Sequence, residues 1–190
     1  MEFAANLSLD FFICVVDMLK KCLLYCSVIF FLSSCSAAYV AFDSVEEFDI
    51  SKYAGKWYEL YRLPNKLEEG LEEIVIYYQV NRNGNIMIIN EGRLIQDKNK
   101  VRQTKGRVWI PDLSEPSKLK VSFYWYKSDD HWVFHVDDGY THALVGDPNG
   151  RHLWLLSRER DPDMRTVALM FEYAASLGFP VENLIRSLAY

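Results

Sequence analysis

Histidine offers the most direct chemistry in this 190-residue chain. His131 and His135 have the four-residue spacing that grips a metal from one face of a helix. On an extended strand the same spacing sets the two side chains about 13 Å apart, too far to share an ion. His142 is the remaining candidate for a general base, with Tyr140 and Glu59 as its expected neighbours. A buried, hydrogen-bonded imidazole accounts for it more simply. The cysteines, at positions 14, 22, 26 and 35, all lie near the start. The rest of the chain therefore has no thiol nucleophile, disulfide framework or thiolate metal site. No Ser/His/Asp motif and no phosphate-cradling glycine loop occurs. No catalytic residue, metal or cofactor is expected, and a net charge of −5 without a basic stripe argues against nucleic acid.

Burial is the chemistry that remains. Half of the residues are hydrophobic and 15% are aromatic, ample for a core and suited to lining an apolar pocket. From residue 55 onward, segments of period two follow one another: Gly55–Leu63, Glu73–Val80, Asn85–Ile95, Val101–Ile110, Lys118–Tyr126, His131–Asp137, Thr141–Gly146 and His152–Ser157. Turn signals such as Asn81-Arg82-Asn83-Gly84, Ser128-Asp129-Asp130 and Pro148-Asn149-Gly150 separate them. Short links between eight strands predict an all-β, antiparallel up-and-down barrel with room for one small ligand. The period then changes. Asp161-Pro162 is a helix start signal; Met164, Val167, Met170, Phe171, Ala174 and Leu177 recur at helical spacing, and Gly178 ends the run. One C-terminal α-helix is expected to pack on the outside of the barrel, followed by a short final strand within Phe179–Tyr190.

The beginning of the chain is of another kind. Lys20 and Lys21 precede an apolar stretch, Cys22 to Leu32, too short to span a bilayer but right for a signal-peptide core. It ends in Leu32-Ser33-Ser34-Cys35, which resembles the lipobox of bacterial lipoproteins. That resemblance implies cleavage before Cys35 and acylation of the cysteine, anchoring the protein to a membrane. Ser36, where an aspartate would resemble an inner-membrane retention signal, implies delivery to the outer membrane. Residues 1–34 are thus read as a leader, with Met18 as an alternative true start because Glu2, Asp10 and Asp17 put acid where base belongs. Residues 35–47 are the lipidated cysteine and a tether, and residues 48–190 the folded domain.

Within that domain, Phe48-Asp49-Ile50-Ser51-Lys52-Tyr53-Ala54-Gly55-Lys56-Trp57-Tyr58-Glu59 resembles the opening of the lipocalins, where a helical turn precedes Gly-x-Trp. Asp138-Gly139-Tyr140 is similar to the family's Asp-x-Tyr turn between the sixth and seventh strands, and Arg158 to the arginine ending the eighth. Trp57-Tyr58-Glu59, His142-Ala143-Leu144-Val145 and Leu153 through Arg158 look most like bacterial outer-membrane lipocalins and the apolipoprotein D branch. The resemblance implies a closed barrel end built from Gly55, Trp57, Asp138, Tyr140 and Arg158, the guanidinium lying across the indole. It also implies binding, storage or transport of a fatty acid, a lysophospholipid or a similar small apolar ligand in the periplasm.

Alternation predicts which side chains line that ligand's pocket. Ile74, Ile76, Tyr78 and Val80 should face inward, with Ile86, Ile88 and Asn90, then Leu119, Val121, Phe123 and Trp125. On the sixth strand Trp132, Phe134 and Val136 are assigned inward, with His131, Val133 and His135 outside. Phe123, Trp125, Trp132 and Phe134 then form an aromatic collar at the open end, with Tyr78 and Asn90 as polar handles; the same aromatics would equally serve as core packing. The stretches Arg62–Glu72 and Leu94–Val101 are long enough for a lid, where Leu63, Leu67 and Leu71 either meet a lipid or partner or pack on the rim. The competing function is an envelope interaction protein that uses the barrel exterior. The sequence leaves both a monomer and a homodimer open.

Overall fold

The computed structural model describes residue 45 and residues 47–187; the expected leader, Cys35 and most of the tether lie outside the described residues. Helix α1 (Ile50–Tyr53) starts at Asp49, whose carboxylate accepts the Ser51 N–H, and feeds directly into β1 (Gly55–Arg62). The strands β2 (Leu71–Val80), β3 (Ile86–Leu94), β4 (Asp97–Trp109), β5 (Lys118–Tyr124), β6 (Lys127–Val136), β7 (His142–Gly146) and β8 (Leu153–Ser157) follow. Each pairs antiparallel with its predecessor, and β1 pairs with both β2 and β8, so the meander closes into an eight-stranded barrel. Closure leaves these strands no free edge. Side-chain carboxamides and carboxylates shape the turns: Asn81 Oδ1 accepts the Asn83 and Asn85 N–H groups. Asp147 Oδ1 accepts those of Arg151 and His152.

The barrel has two hydrophobic clusters because several strands are covered on both faces. Trp57, Ile74, Ile76, Tyr78, Ile88, Val121, Val133 and Val145 belong to the inner one. Leu60, Phe134, Leu144, Leu153 and Leu155 belong to the outer one and meet Val167, Met170 and Ala174 of helix α2 (Met164–Ser176). The helix begins later than Asp161-Pro162 suggested, after Asp163, whose side chain makes no capping bond, and Met164 is exposed rather than part of the stripe. After a 3₁₀ turn at Val181–Asn183, β9 (Ile185–Arg186) pairs with Tyr61 and Arg62 of β1.

Several strand limits depart from the sequence reading, among them the start of β2 at Leu71. β4 starts at Asp97, so β3 and β4 are joined by a tight turn at Ile95-Gln96 and no lid spans 94–101. Asp97 to Lys100 carry no apolar alternation; Asp97 pairs with Leu94 ahead of the register shift that brings Val101 opposite Arg93. β5 stops at Tyr124 and β6 starts at Lys127, which places the turn at Trp125-Tyr126 rather than at Ser128-Asp129-Asp130. The Ser122 hydroxyl holds this hairpin, donating to the carbonyls of Tyr124 and Lys127.

Candidate functional site

The two ends of the barrel are built from different chemistry. At the end where β1 begins, Trp57 is fully buried, and its indole N–H donates to the Tyr53 carbonyl at 2.8 Å. The Arg158 guanidinium carbon sits 3.8 Å from the indole centroid. Its nitrogens donate to the carbonyls of Lys52, Tyr53, Ala54, Lys56 and Tyr140. One side chain therefore satisfies the carbonyls that α1 leaves open at its C-terminus. Gly55 makes this approach possible: its φ of 106° suits glycine, and a β-carbon there would lie 3.2 Å from Arg158 Nη1. The Tyr140 hydroxyl accepts the Asp49 N–H at 2.8 Å. Asp138, by contrast, is exposed and makes none of the turn's hydrogen bonds. Asp137 makes them, its carboxylate accepting from the Thr141 N–H and hydroxyl and from the His142 N–H. The turn's aspartate is therefore one residue earlier than the expected Asp138, because only the Asp137 carboxylate turns back over the loop to those donors.

At the opposite end the β1–β2 connection, residues 63–70, folds into the mouth. Lys66 and Glu69 are exposed, whereas Glu68 is 1% exposed. Its carboxylate accepts from Trp154 Nε1 of β8 at 2.9 Å, Asn90 Nδ2 of β3 at 3.2 Å and Asn65 Nδ2 at 2.6 Å. Arg62 lies beneath it, with Nε 3.7 Å from Glu68 Oε2 and Nη1 2.8 Å from Glu59 Oε1. Its Nη2 also donates to the carbonyls of Glu68 and Leu71. From the other side, Arg102 of β4 donates to the carbonyls of Leu67 and Glu69. Burial, with the charge of Glu68 second, pushes the Glu59 carboxyl well above the ordinary range although Arg62 opposes the shift. Arg62 thus stands between two buried carboxyl groups, Glu59 and Glu68, and is the cation they share. His142 is not part of this group: its Nδ1 bonds the Thr141 hydroxyl at 2.8 Å, so the expected trio with Glu59 and Tyr140 is not assembled.

Deeper in, the Tyr78 hydroxyl and His131 Nε2 share a hydrogen bond of 2.7 Å, and the His131 ring lies 5.3 Å from Trp154. Burial, helped by the charge of His152, pushes His131 down to about 4. The unfolded chain therefore takes up this proton first, near 6.5, and stability is lost as pH falls from there towards 4. We expect this one residue to cost about 3 kcal/mol over that interval. His131→Gln keeps a partner for Tyr78 without a titrating ring, so urea midpoints across the same interval should show a flatter slope.

Tyr78, Asn90 and Phe123 lie on the inner face as expected, Phe123 beside the α-carbon of Gly106. The other collar residues do not. Trp125 is 91% exposed at the tip of the β5–β6 hairpin, with Tyr124 and Tyr126 stacked beside it. Trp132 and Phe134 face outward beneath α2, and His131 and Val133 point in. A register shift between Val133 and His135 then returns Val136 to the inner face. Trp125→Ser should change stability by less than about 0.5 kcal/mol in chemical denaturation, since it removes only an exposed edge contact with Tyr126. The residues missed were Arg62, Glu68 and Trp154. The available signal was Glu59, a charge in phase with the inward Trp57, which requires a buried cation nearby.

A family model described as the lipocalin-like domain matches residues 48–189. Outer membrane lipoprotein Blc of Vibrio cholerae is 32% identical over 164 residues, covering 86% of this chain and 94% of the relative. Apolipoprotein D of Bos taurus is 31% identical over 147 residues, covering 73% of this chain and 76% of that one. Among solved structures, insecticyanin from the tobacco hornworm Manduca sexta superposes with a TM-score of 0.62 at 19% identity, covering 77% of this chain and 84% of that one.

Proposed function

The chain belongs to the lipocalin family, whose members are binding proteins for small hydrophobic ligands rather than enzymes, and from that premise we propose that it binds a single-chain amphiphile such as a fatty acid or lysophospholipid. The observation that carries this reading is a barrel interior with an apolar wall and its charged side chains gathered at the mouth. Ile74, Ile76, Ile88, Val121 and Val145 form an apolar wall, while Glu59, Arg62, Glu68, Asn90 and Trp154 gather towards the mouth. An amphiphile has the same asymmetry. Burying a sixteen-carbon tail is worth roughly 10 kcal/mol before association and ordering costs, enough for micromolar binding. Of the expected pocket residues, Phe123 from the collar and the polar handles Tyr78 and Asn90 face this interior; Trp125, Trp132 and Phe134 do not.

Its relatives named outer membrane lipoprotein Blc support placing the protein at the outer membrane, anchored through acylated Cys35 with the barrel in the periplasm as carrier or store. The intact mass of the processed protein should show cleavage before Cys35 and added acyl chains; an unmodified cysteine overturns the anchor. Native mass spectrometry followed by lipid extraction tests the binding itself. A stoichiometric single-chain lipid is the expected result. A barrel that is empty and ignores added palmitate and lysophospholipid moves the function to the exterior, where the exposed Tyr124-Trp125-Tyr126 turn is the surface to test.

A further inference from the structure

We propose that Glu68 is a tethered stand-in for the ligand's head group, so that the barrel loads by exchanging this carboxylate for a single-chain amphiphile bearing one negative charge. The inference rests on the ligand-binding reading above and specifies its head-group chemistry and its gate. Glu68 is held as a bound carboxylate would be, by Trp154 Nε1 and Asn90 Nδ2 from two strands and by the Arg62 guanidinium. Its own loop supplies only the Asn65 carboxamide and leaves Lys66 and Glu69 in solvent. The segment thus contributes one inserted group, with little else of its own buried against the polar cluster.

Charge balance selects the incoming head. Arg62 is shared by Glu59 beneath it and Glu68, and Glu68 is the carboxylate that reaches it from the mouth. A neutral ligand that lifted the loop would leave Arg62 buried without a carboxylate facing it from the mouth, a costly state in a low-dielectric interior. An anionic head leaves the net charge unchanged. The cluster also has an unused donor for an anion: Arg62 Nε is buried and makes no hydrogen bond among the described residues. Loop movement has a ready pivot at Gly70, where φ is 75° and nothing lies within 4 Å of a β-carbon position. It has a restraint in Arg102, which grips the loop through backbone carbonyls alone. Those bonds are indifferent to side-chain identity and reform when the loop returns.

A carboxylate or a phosphodiester meets the charge requirement, so palmitate and palmitoyl lysophosphatidylglycerol are both probes, with hexadecanol as the uncharged control of equal chain length. With the full-length protein, titration calorimetry should show at least one of the anionic probes binding roughly tenfold or more tightly than hexadecanol, the scale of a charge-assisted hydrogen bond. Whichever binds identifies carboxylate or phosphate. Hydrogen exchange of residues 63–70 should rise on loading as the loop leaves the mouth. Glu68→Gln, nearly isosteric but without the charge, should tighten the anionic probe by about tenfold by removing the competitor. Equal affinity for hexadecanol, or a loaded barrel with unchanged exchange at 63–70, overturns the exchange while ligand binding stands. Failure of every probe to bind in the calorimeter and by native mass spectrometry overturns both.

Discussion

Trp57→Ala is expected to lower stability by about 3–5 kcal/mol, in the range of a large aromatic removed from a closed core. Trp57 is fully buried, with the Tyr53 ring 5.0 Å away on one side and the Arg158 guanidinium on the other. Its loss opens a cavity at the closed end and removes the surface that holds Arg158 flat. The guanidinium must then bond the carbonyls of Lys52 to Lys56 without the orientation the indole imposed. The Tyr53 carbonyl loses the indole N–H as well, so it depends on Arg158 alone of these two donors. Urea denaturation followed by far-ultraviolet circular dichroism gives the number directly. Arg158→Lys provides an independent check, since an ammonium cannot span carbonyls that a planar fork bridges, and it should recover only a minor part of the stability. A loss below about 1 kcal/mol for Trp57→Ala would mean that the closed end is not the main brace of the barrel.

Arg62→Met should be comparably damaging, by about 3–5 kcal/mol, for an electrostatic reason. The side chain is almost wholly buried, and the substitution leaves Glu59 and Glu68 facing each other without the cation they share. The carbonyls of Glu68 and Leu71 lose their donor as well, so the loop over the mouth is released at the same time. The pH dependence separates this cause from lost packing. Two carboxyls left together without a cation favour the protonated form, so the variant should regain part of its stability as pH is lowered from 7 to about 5. The parent protein should weaken over the same interval as unfolded-state His131 takes up its proton. A variant that weakens in parallel with the parent would show that Arg62 acts through its methylenes and not its charge. The double variant Arg62→Met, Glu68→Gln should be more stable than the single one, because no buried carboxylate then faces the mouth unpaired.

Much of this architecture is legible in the residues taken one after another. Period-two alternation interrupted by Asn, Asp, Gly and Pro clusters located the strands, and a change to helical spacing after residue 161 located α2, because each pattern reports how a segment divides its faces between core and solvent. Gly55, Trp57, Tyr140 and Arg158 were readable through the resemblance of their motifs to those of the lipocalins. The inward face of β6 was not. His131 to Val136 carries apolar residues in both phases, since one face lines the barrel and the other lies under α2. Alternation loses its meaning when neither face is wet, and the register shift after Val133 reverses the phase within the strand. The mouth was equally hidden. Arg62, Glu68, Asn90 and Trp154 come from β1, a loop, β3 and β8, and only closure of the sheet brings them within hydrogen-bonding distance. Composition and periodicity determined that the chain would build a barrel with an apolar interior. Which charges sit inside it was decided by tertiary packing, because a buried ion is tolerated only where the fold delivers its partner.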